Sequence, residues 1–231
     1  MSNVVFFDGV DDYVTVPDHA SLRMTGDMTI ECLFKTDVSL AAGRYAVLLT
    51  KGLGSVAGGE YSLWIVGCSV GTYASLVTPS FWVRDPTNTL TANIGNVSAD
   101  KWVDKKVWNH VTVVHEGTNL KLYINGYLLE TKAIAFSGQN SNNNIIEIGS
   151  LVDKWYSGLI ANARIYNRAL SDTEVLYNYS HPNNPIRRGI ALNFTQDSIY
   201  GTKWQDLSGN ANNGTYVGGA VPVTANRLAG R

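Results

Sequence analysis

The 231-residue sequence predicts an all-β sandwich or barrel. Three observations carry that expectation. Apolar residues come in short or alternating runs rather than helical stripes. Gly, Asn, Asp and Ser separate those runs at close intervals. Only one segment has the signature of a helix. Many short strands with dense turn signals are the pattern of a sandwich or a barrel.

The strands predicted in order are Val4–Phe7, Tyr13–Val16, Met28–Lys35, Ala46–Thr50, Tyr61–Val66, Ser80–Arg84, Val107–Glu116, Leu120–Ile124, Tyr127–Lys132, Ile145–Ile148 and Ile160–Tyr166, with shorter ones at Ile190–Phe194 and Gly214–Val217. Between Ile124 and Tyr127 stands Asn125-Gly126, the preferred pair for a type I′ hairpin, in which both central residues need positive φ. The helix is predicted over Ala169–Asn178. Ser171 and Glu174 form a capping box, and Leu170, Val175 and Tyr179 are set to pack on the β body. So short a helix needs that packing to be stable. Gly52–Gly59 and Ser137–Asn144 read as mobile loops, and His181-Pro182-Asn183-Asn184-Pro185 as a stop and linker. The residues beyond it are too few for a comfortable core of their own. The division expected is therefore a domain over 1–180 and, over 181–231, a linker and strand extension that completes the same sandwich or contacts a neighbouring subunit.

Composition excludes several classes. Hydrophobic residues make 45% and charged ones 16%, with a net charge of −1 and no long run of either sign, so nothing favours nucleic acid or an anionic membrane. No apolar stretch of about 18 residues exists, so no membrane insertion is expected. The first residues carry neither the basic nor the apolar region of a secretory signal. Cys32 alternates with the core-facing positions of its strand, whereas Cys68 lies in a loop-like stretch. Two cysteines cannot scaffold a chain of this size.

Several stretches resemble laminin-G-like, concanavalin-A-like domains: Phe7-Asp8-Gly9-Val10-Asp11-Asp12-Tyr13-Val14, Met28-Thr29-Ile30-Glu31, Trp108-Asn109-His110-Val111-Thr112-Val113-Val114, Leu120–Gly126, Ile148-Gly149-Ser150 and, most strongly, Ala163-Arg164-Ile165-Tyr166-Asn167-Arg168-Ala169-Leu170-Ser171. The likeness runs from about Val4 to Tyr179. It implies a two-sheet antiparallel jelly-roll sandwich with one short surface helix. Gly189–Phe194 and Trp204–Thr215 resemble the stretch that in such domains precedes the Phe-Asp-Gly strand. Here it follows instead. It is expected to supply the missing edge strands within the chain, with pairing to another copy as the alternative.

The candidate chemistry is sparse. Glycosidases of this fold need paired carboxylates, commonly on one strand face. Glu147 and Glu31 have no acid two positions away, and Asp11 and Asp12 point to opposite faces of an extended strand. No catalytic residues are assigned and the chain is read as not an enzyme. His110 and His115, five apart, face opposite sides and cannot share a metal. Asp8, Asp11 and Asp12 supply the hard oxygen donors that calcium prefers. Relatives with a structural calcium commonly carry Gly-x-Ile-Asp-Glu-Val where this chain has Gly158-Leu159-Ile160-Ala161-Asn162-Ala163. The resemblance therefore leaves Asn162 as the one partial replacement ligand. A polar turn whose Asp side chains bond backbone amides is the alternative.

Of the six Trp, Trp64, Trp108 and Trp204 sit in strand-like contexts and are assigned to the core. Trp82 with Arg84 and Asp85, and Trp155 with Tyr156, are the candidate carbohydrate-binding patches, because aromatic faces stack on sugar rings while charged groups bond hydroxyls. A half-buried sandwich edge or a subunit contact is the other reading. The function expected is non-catalytic binding or assembly. It takes the form of a virion surface protein in capsid decoration or tail-associated adhesion, or of a carbohydrate-binding module of a secreted or cell-surface protein. Its partners are a glycan or the other subunits of a surface assembly, with a homo-oligomer among the expectations.

Overall fold

A computed structural model describes residues 3–36, 45–52, 60–67, 76–95 and 103–224. Apolar alternation becomes strands throughout: β1 (Asn3–Asp8), β2 (Tyr13–Val16), β3 (Met28–Lys35), β4 (Tyr45–Lys51), β5 (Tyr61–Gly67), β6 (Leu76–Arg84), β7 (Thr91–Ile94), β8 (Val103–Asp104), β9 (Asn109–Glu116), β10 (Asn119–Ile124), β11 (Tyr127–Ala133), β12 (Ile146–Ile148) and β13 (Ser157–Tyr166). One helix, α1 (Asp172–Ser180), precedes β14 (Ile190–Phe194), β15 (Ile199–Tyr200), β16 (Lys203–Trp204), β17 (Gly214–Val217) and β18 (Val221–Thr224).

These strands form two antiparallel sheets. One has the order β11-β10-β9-β3-β13-β1-β18, with β14 also on β13. The other runs β15-β16-β17-β2-β12-β4-β5-β6-β7, with β8 on β6. The jelly-roll sandwich expected from the sequence is the fold. Period-two alternation sends Val5 and Phe7, Val14 and Val16, Ile30 and Cys32, Leu63 and Ile65, Phe81 and Val83, and Val111 and Val113 into one core between the sheets.

The C-terminal strands close edges inside this chain. β18 pairs with β1 (Val5 opposite Pro222), β17 with β2 (Thr15 opposite Thr215) and β14 with β13 (Arg164 opposite Asn193). Trp204 is fully buried. Its ring stacks on Phe194 at 4.9 Å, and its Nε1 donates to the Thr195 carbonyl at 2.9 Å.

The helix caps as expected. The Glu174 amide donates to Ser171 Oγ at 3.3 Å, and the Ser171 amide to a Glu174 carboxylate oxygen at 3.0 Å. Its apolar side joins Val175 to Leu170, Tyr123 and Tyr166 in a second small core on the outside of the eight-stranded sheet. Asn125 and Gly126 take φ of 49° and 83°, the left-handed values a type I′ turn requires.

Some expectations fail. Trp108 is 36% exposed because it stands in the turn before β9 and outside the alternating run. Tyr179 is 39% exposed, although its ring still meets His110 at 6.0 Å. Ser137–Asn144 is not loose. The Asn140 amide donates to the Arg84 carbonyl at 3.0 Å and the Asn142 amide to Glu60 at 2.8 Å, while Gln139 is buried. β7, β8, β15, β16 and β18 have no counterpart in the sequence reading, being short and mostly polar or exposed. Cys68 and residues 53–59 lie outside the described residues, and Cys32 is a free buried thiol.

Candidate functional site

The outer face of the ten-stranded sheet carries a polar and aromatic row. Ile146 and Ile148 point into the core, so Glu147 points out; Val14 and Val16 place Thr15 likewise, and Phe81 and Val83 place Trp82. The register aligns Thr15 with Glu147, Glu147 with Thr50, Thr50 with Ser62, Ser62 with Trp82 and Trp82 with Asn93. Six strands at about 4.8 Å spacing make this row roughly 24 Å long. Thr50 and Ser62, in the middle of the row, are both buried; their hydroxyls bond each other, and Thr50 Oγ1 also meets the carbonyls of Gly52 at 3.0 Å and Tyr61 at 3.2 Å. Glu147 is half-buried. Burial pushes its carboxyl pKa up, and a hydrogen bond from Ser150 Oγ at 3.3 Å pulls it partly back.

A short loop after β12 joins the two aromatic patches. Leu151 packs with Val47 and Trp64, and Trp82 lies against the same cluster. Four residues on, the Trp155 ring lies 6.2 Å from Tyr13, the outward residue at the start of β2. The loop closes through the Lys154 amide, which donates to the Leu151 carbonyl at 2.9 Å. Trp82 and Trp155, 73 positions apart in the sequence, thus belong to one face and flank one loop. Tyr45 stands edge-on to Trp64 at 5.4 Å. Trp64 is 7% exposed, and its buried Nε1 has no hydrogen-bond partner among the described residues. Glu147, Trp64 and Tyr13 are members that the sequence reading passed over as site residues. Only the alternation around Glu147 could have signalled them.

Three assigned residues belong elsewhere. Tyr156 is fully buried, edge-on to Phe7 at 5.8 Å, with its hydroxyl donating to the Leu159 carbonyl at 3.1 Å. The sugar-facing role given to it is corrected to a core role, because alternation turns it inward as Trp155 faces out. Asp85 is 5% exposed and accepts from the amides of Thr89 at 2.7 Å and Leu90 at 2.6 Å and from the Thr87 hydroxyl. Partial burial raises its pKa, but these bonds outweigh it and hold the carboxyl at about 2. Asp85 therefore builds the β6–β7 turn. Arg84 remains half-buried on the same side of β6 as Trp82.

Asn162 is the third correction. It is buried, and its Nδ2 donates to the Pro182 carbonyl at 2.8 Å. Asp8 sits opposite Ser157, so Asn162 lies five positions further along β13, roughly 16 Å away. It is no partner of the acidic trio. Asp8, Asp11 and Asp12 do gather, with one oxygen of each within 4.8 Å of the others. Yet Asp12 is buried, and its two oxygens accept the amides of Asp8 (2.8 Å) and Gly219. Asp8 Oδ1 accepts the amide of Val10 at 2.8 Å. Carboxylates bonded to amides in this way are what a polar turn requires. The bond to Gly219 also ties the turn to the connection between β17 and β18.

The other buried charges brace the fold. Beneath α1, Glu31 accepts Asn178 Nδ2 at 3.0 and 3.1 Å and faces Arg164 at 3.4 Å; Arg164 also donates to Asn193 at 3.1 Å. Burial raises the Glu31 pKa, with the Arg164 charge opposing it. His110, buried beside them, has its pKa held down at about 3 by burial and then by Arg164. At the end of the sandwich near Asn142, Lys51 pairs with Glu60, both fully buried, and donates to the Asn142 carbonyl at 2.7 Å. Chemically, these networks hold elements together and present nothing to a ligand. On the outer row Glu147 faces Thr15 and Thr50 across the ladder, not a second acid.

Residues 8–176 match a family of the concanavalin A-like lectin/glucanases superfamily, to which the chain belongs. Among solved structures it resembles a protein from Bacteroides ovatus assigned to carbohydrate binding (TM-score 0.69, 17% identity), covering 97% of this chain and 60% of that one. It resembles the heptameric SAP-like pentraxin of Limulus polyphemus (TM-score 0.60, 13% identity), covering 96% and 94% respectively. It also resembles domain 4 of an extracellular arabinanase from Geobacillus stearothermophilus, solved with arabinotriose (TM-score 0.54, 16% identity), covering 75% of each. These likenesses show a shared fold. A search of curated proteins found no match. Among the described residues no helix is long and apolar enough to cross a membrane.

Proposed function

We propose that this chain is a non-catalytic carbohydrate-binding jelly roll that lays a glycan across the outer face of its ten-stranded sheet. The observation that carries the reading is the convergence of Trp82 and Trp155 on the two sides of one loop, on the face that also carries the half-buried Glu147. Aromatic rings take the apolar faces of sugars, while the Glu147 carboxylate supplies an acceptor for hydroxyls. Across the ladder Glu147 faces Thr15 and Thr50 rather than a second acid, which argues against glycoside hydrolysis with its acid on each side of the scissile bond. The names of the Bacteroides protein and of the arabinanase domain agree with a glycan ligand.

The test is a glycan array followed by calorimetry on its best ligand. Trp82→Ala and Trp155→Ala each weaken binding by about tenfold or more, the scale of losing a stacked aromatic contact. A flat array, or binding that ignores both substitutions, rejects the proposal.

We further propose that the domain works in a surface assembly outside the cell, with a virion surface as the specific setting. Mass spectrometry of purified virions from the source organism decides that part, since absence of the chain removes it. The Asp8–Asp12 turn is assigned to amide bonding rather than to calcium. Calcium that raised the thermal midpoint, with reversal by chelator, would overturn that assignment.

A further inference from the structure

The loop that joins the two aromatic patches carries a residue its own conformation does not favour. Val152 has φ of 55° and is 66% exposed. It is the first central residue of the turn closed by the Lys154 amide on the Leu151 carbonyl at 2.9 Å. Asp153, the second, is not among the residues with positive φ, so the pattern is that of a type II′ turn, whose first central position favours glycine. Positive φ is a marked outlier for a β-branched side chain. Among the described residues the other non-glycines with positive φ are Asn88, Lys106, Asn125 and Ala211, so Val152 is the one β-branched case. Packing does not explain it, because most of its surface faces solvent. The loop is nonetheless held on both flanks, by Leu151 against Trp64 and Trp82, and by Trp155 against Tyr13. A strained, apolar, exposed side chain is thus fixed at the crest of an anchored turn.

We infer that Val152 is a specificity-determining contact of the glycan face. Its isopropyl group covers the apolar face of a sugar ring and selects neutral glycans over those bearing a charged substituent there. The inference rests on the carbohydrate-binding reading above. Gly or Asn at this position would relax the backbone while removing the contact, so stability and affinity should move in opposite directions.

The experiment compares wild type with Val152→Gly, Val152→Asn and Val152→Ile. Calorimetry uses linear arabino-, xylo-, cello- and laminari-hexasaccharides with sialyllactose as the charged comparison, and thermal melts are run alongside. The Gly and Asn variants melt higher than wild type, lose roughly three- to tenfold in affinity for the tightest neutral hexasaccharide, and narrow its margin over sialyllactose. The Ile variant keeps wild-type affinity. Gly and Asn variants that bind as wild type does overturn this inference alone, as does a loss of affinity in the Ile variant equal to theirs. A wild type that binds none of these sugars and nothing on the glycan array overturns the carbohydrate-binding reading and this inference with it.

Discussion

Arg164 is fully buried and spreads its guanidinium over Glu31, Asn193 and the Pro182 carbonyl. Removing it leaves Glu31 buried without the cation that offsets its desolvation. Arg164→Met should therefore destabilise by about 3–5 kcal/mol in urea unfolding. Glu60 adds a pH dependence. Burial raises its pKa from the ordinary 4.5 to about 7, against the opposing pull of Lys51 and the Asn142 amide. The folded chain then holds a proton that the unfolded chain has lost between about pH 4.5 and 7. On this group's account stability falls as pH rises through that window. In Glu60→Gln that slope should be absent from denaturation midpoints measured across the window; a slope unchanged from wild type would assign it to another group.

Single elements make separate demands. The capping box of α1 satisfies helix-end amides, so Ser171→Ala should cost about 1 kcal/mol. Glu174 also takes two hydrogen bonds from Arg168, at 2.8 and 2.7 Å, which hold its pKa at about 2 against partial burial. A depressed carboxylate stabilises above its unfolded pKa, and that stabilisation fades as pH falls from about 4.5 toward 2. The hairpin of β10 and β11 turns directly beneath this helix. A Cβ on Gly126 would lie 2.9 Å from Leu176 Cδ1 and 3.0 Å from Tyr179 Cδ1, at a φ of 83°. Gly126→Ala should thus destabilise by more than about 1 kcal/mol and loosen α1, a change readable by amide exchange across Asp172–Ser180.

At the scale of the whole molecule, the chain closes its sheets with its own end. β17 and β18 cover the edges of β2 and β1, which would otherwise present unpaired backbone groups. Deleting residues 214–231 should convert a species of defined size into aggregates or mixed oligomers on size-exclusion chromatography with light scattering. A truncated chain that stayed as stable and as monodisperse as the full one would show that these strands are dispensable. The connection between them also meets the first turn, where the Gly219 amide donates to Asp12. Asp12 is thus a clasp between the two ends of the chain.

Strand positions, the Asn125-Gly126 turn and the Ser171 cap were legible in the sequence because each depends on local rules: alternation, left-handed φ and side-chain capping. The family was legible for the same reason, since its motifs are contiguous. Tyr156 and Asp85 were misread because adjacency to a tryptophan says nothing about which way a side chain points. Asn162 was misread because distance along a strand, not a motif's spacing, decides whether it reaches Asp8. The face shared by Trp82, Glu147 and Trp155 depends on the register of six strands and on one loop folding back between two patches. Such pairings join residues far apart in the chain, and only the assembled sandwich fixes them. The sequence by itself determined the strands, the helix and the class of fold. The tertiary structure decided which side chains meet on one surface, because alternation assigns each residue a side of its own strand while the order of strands in the sheet assigns its neighbours.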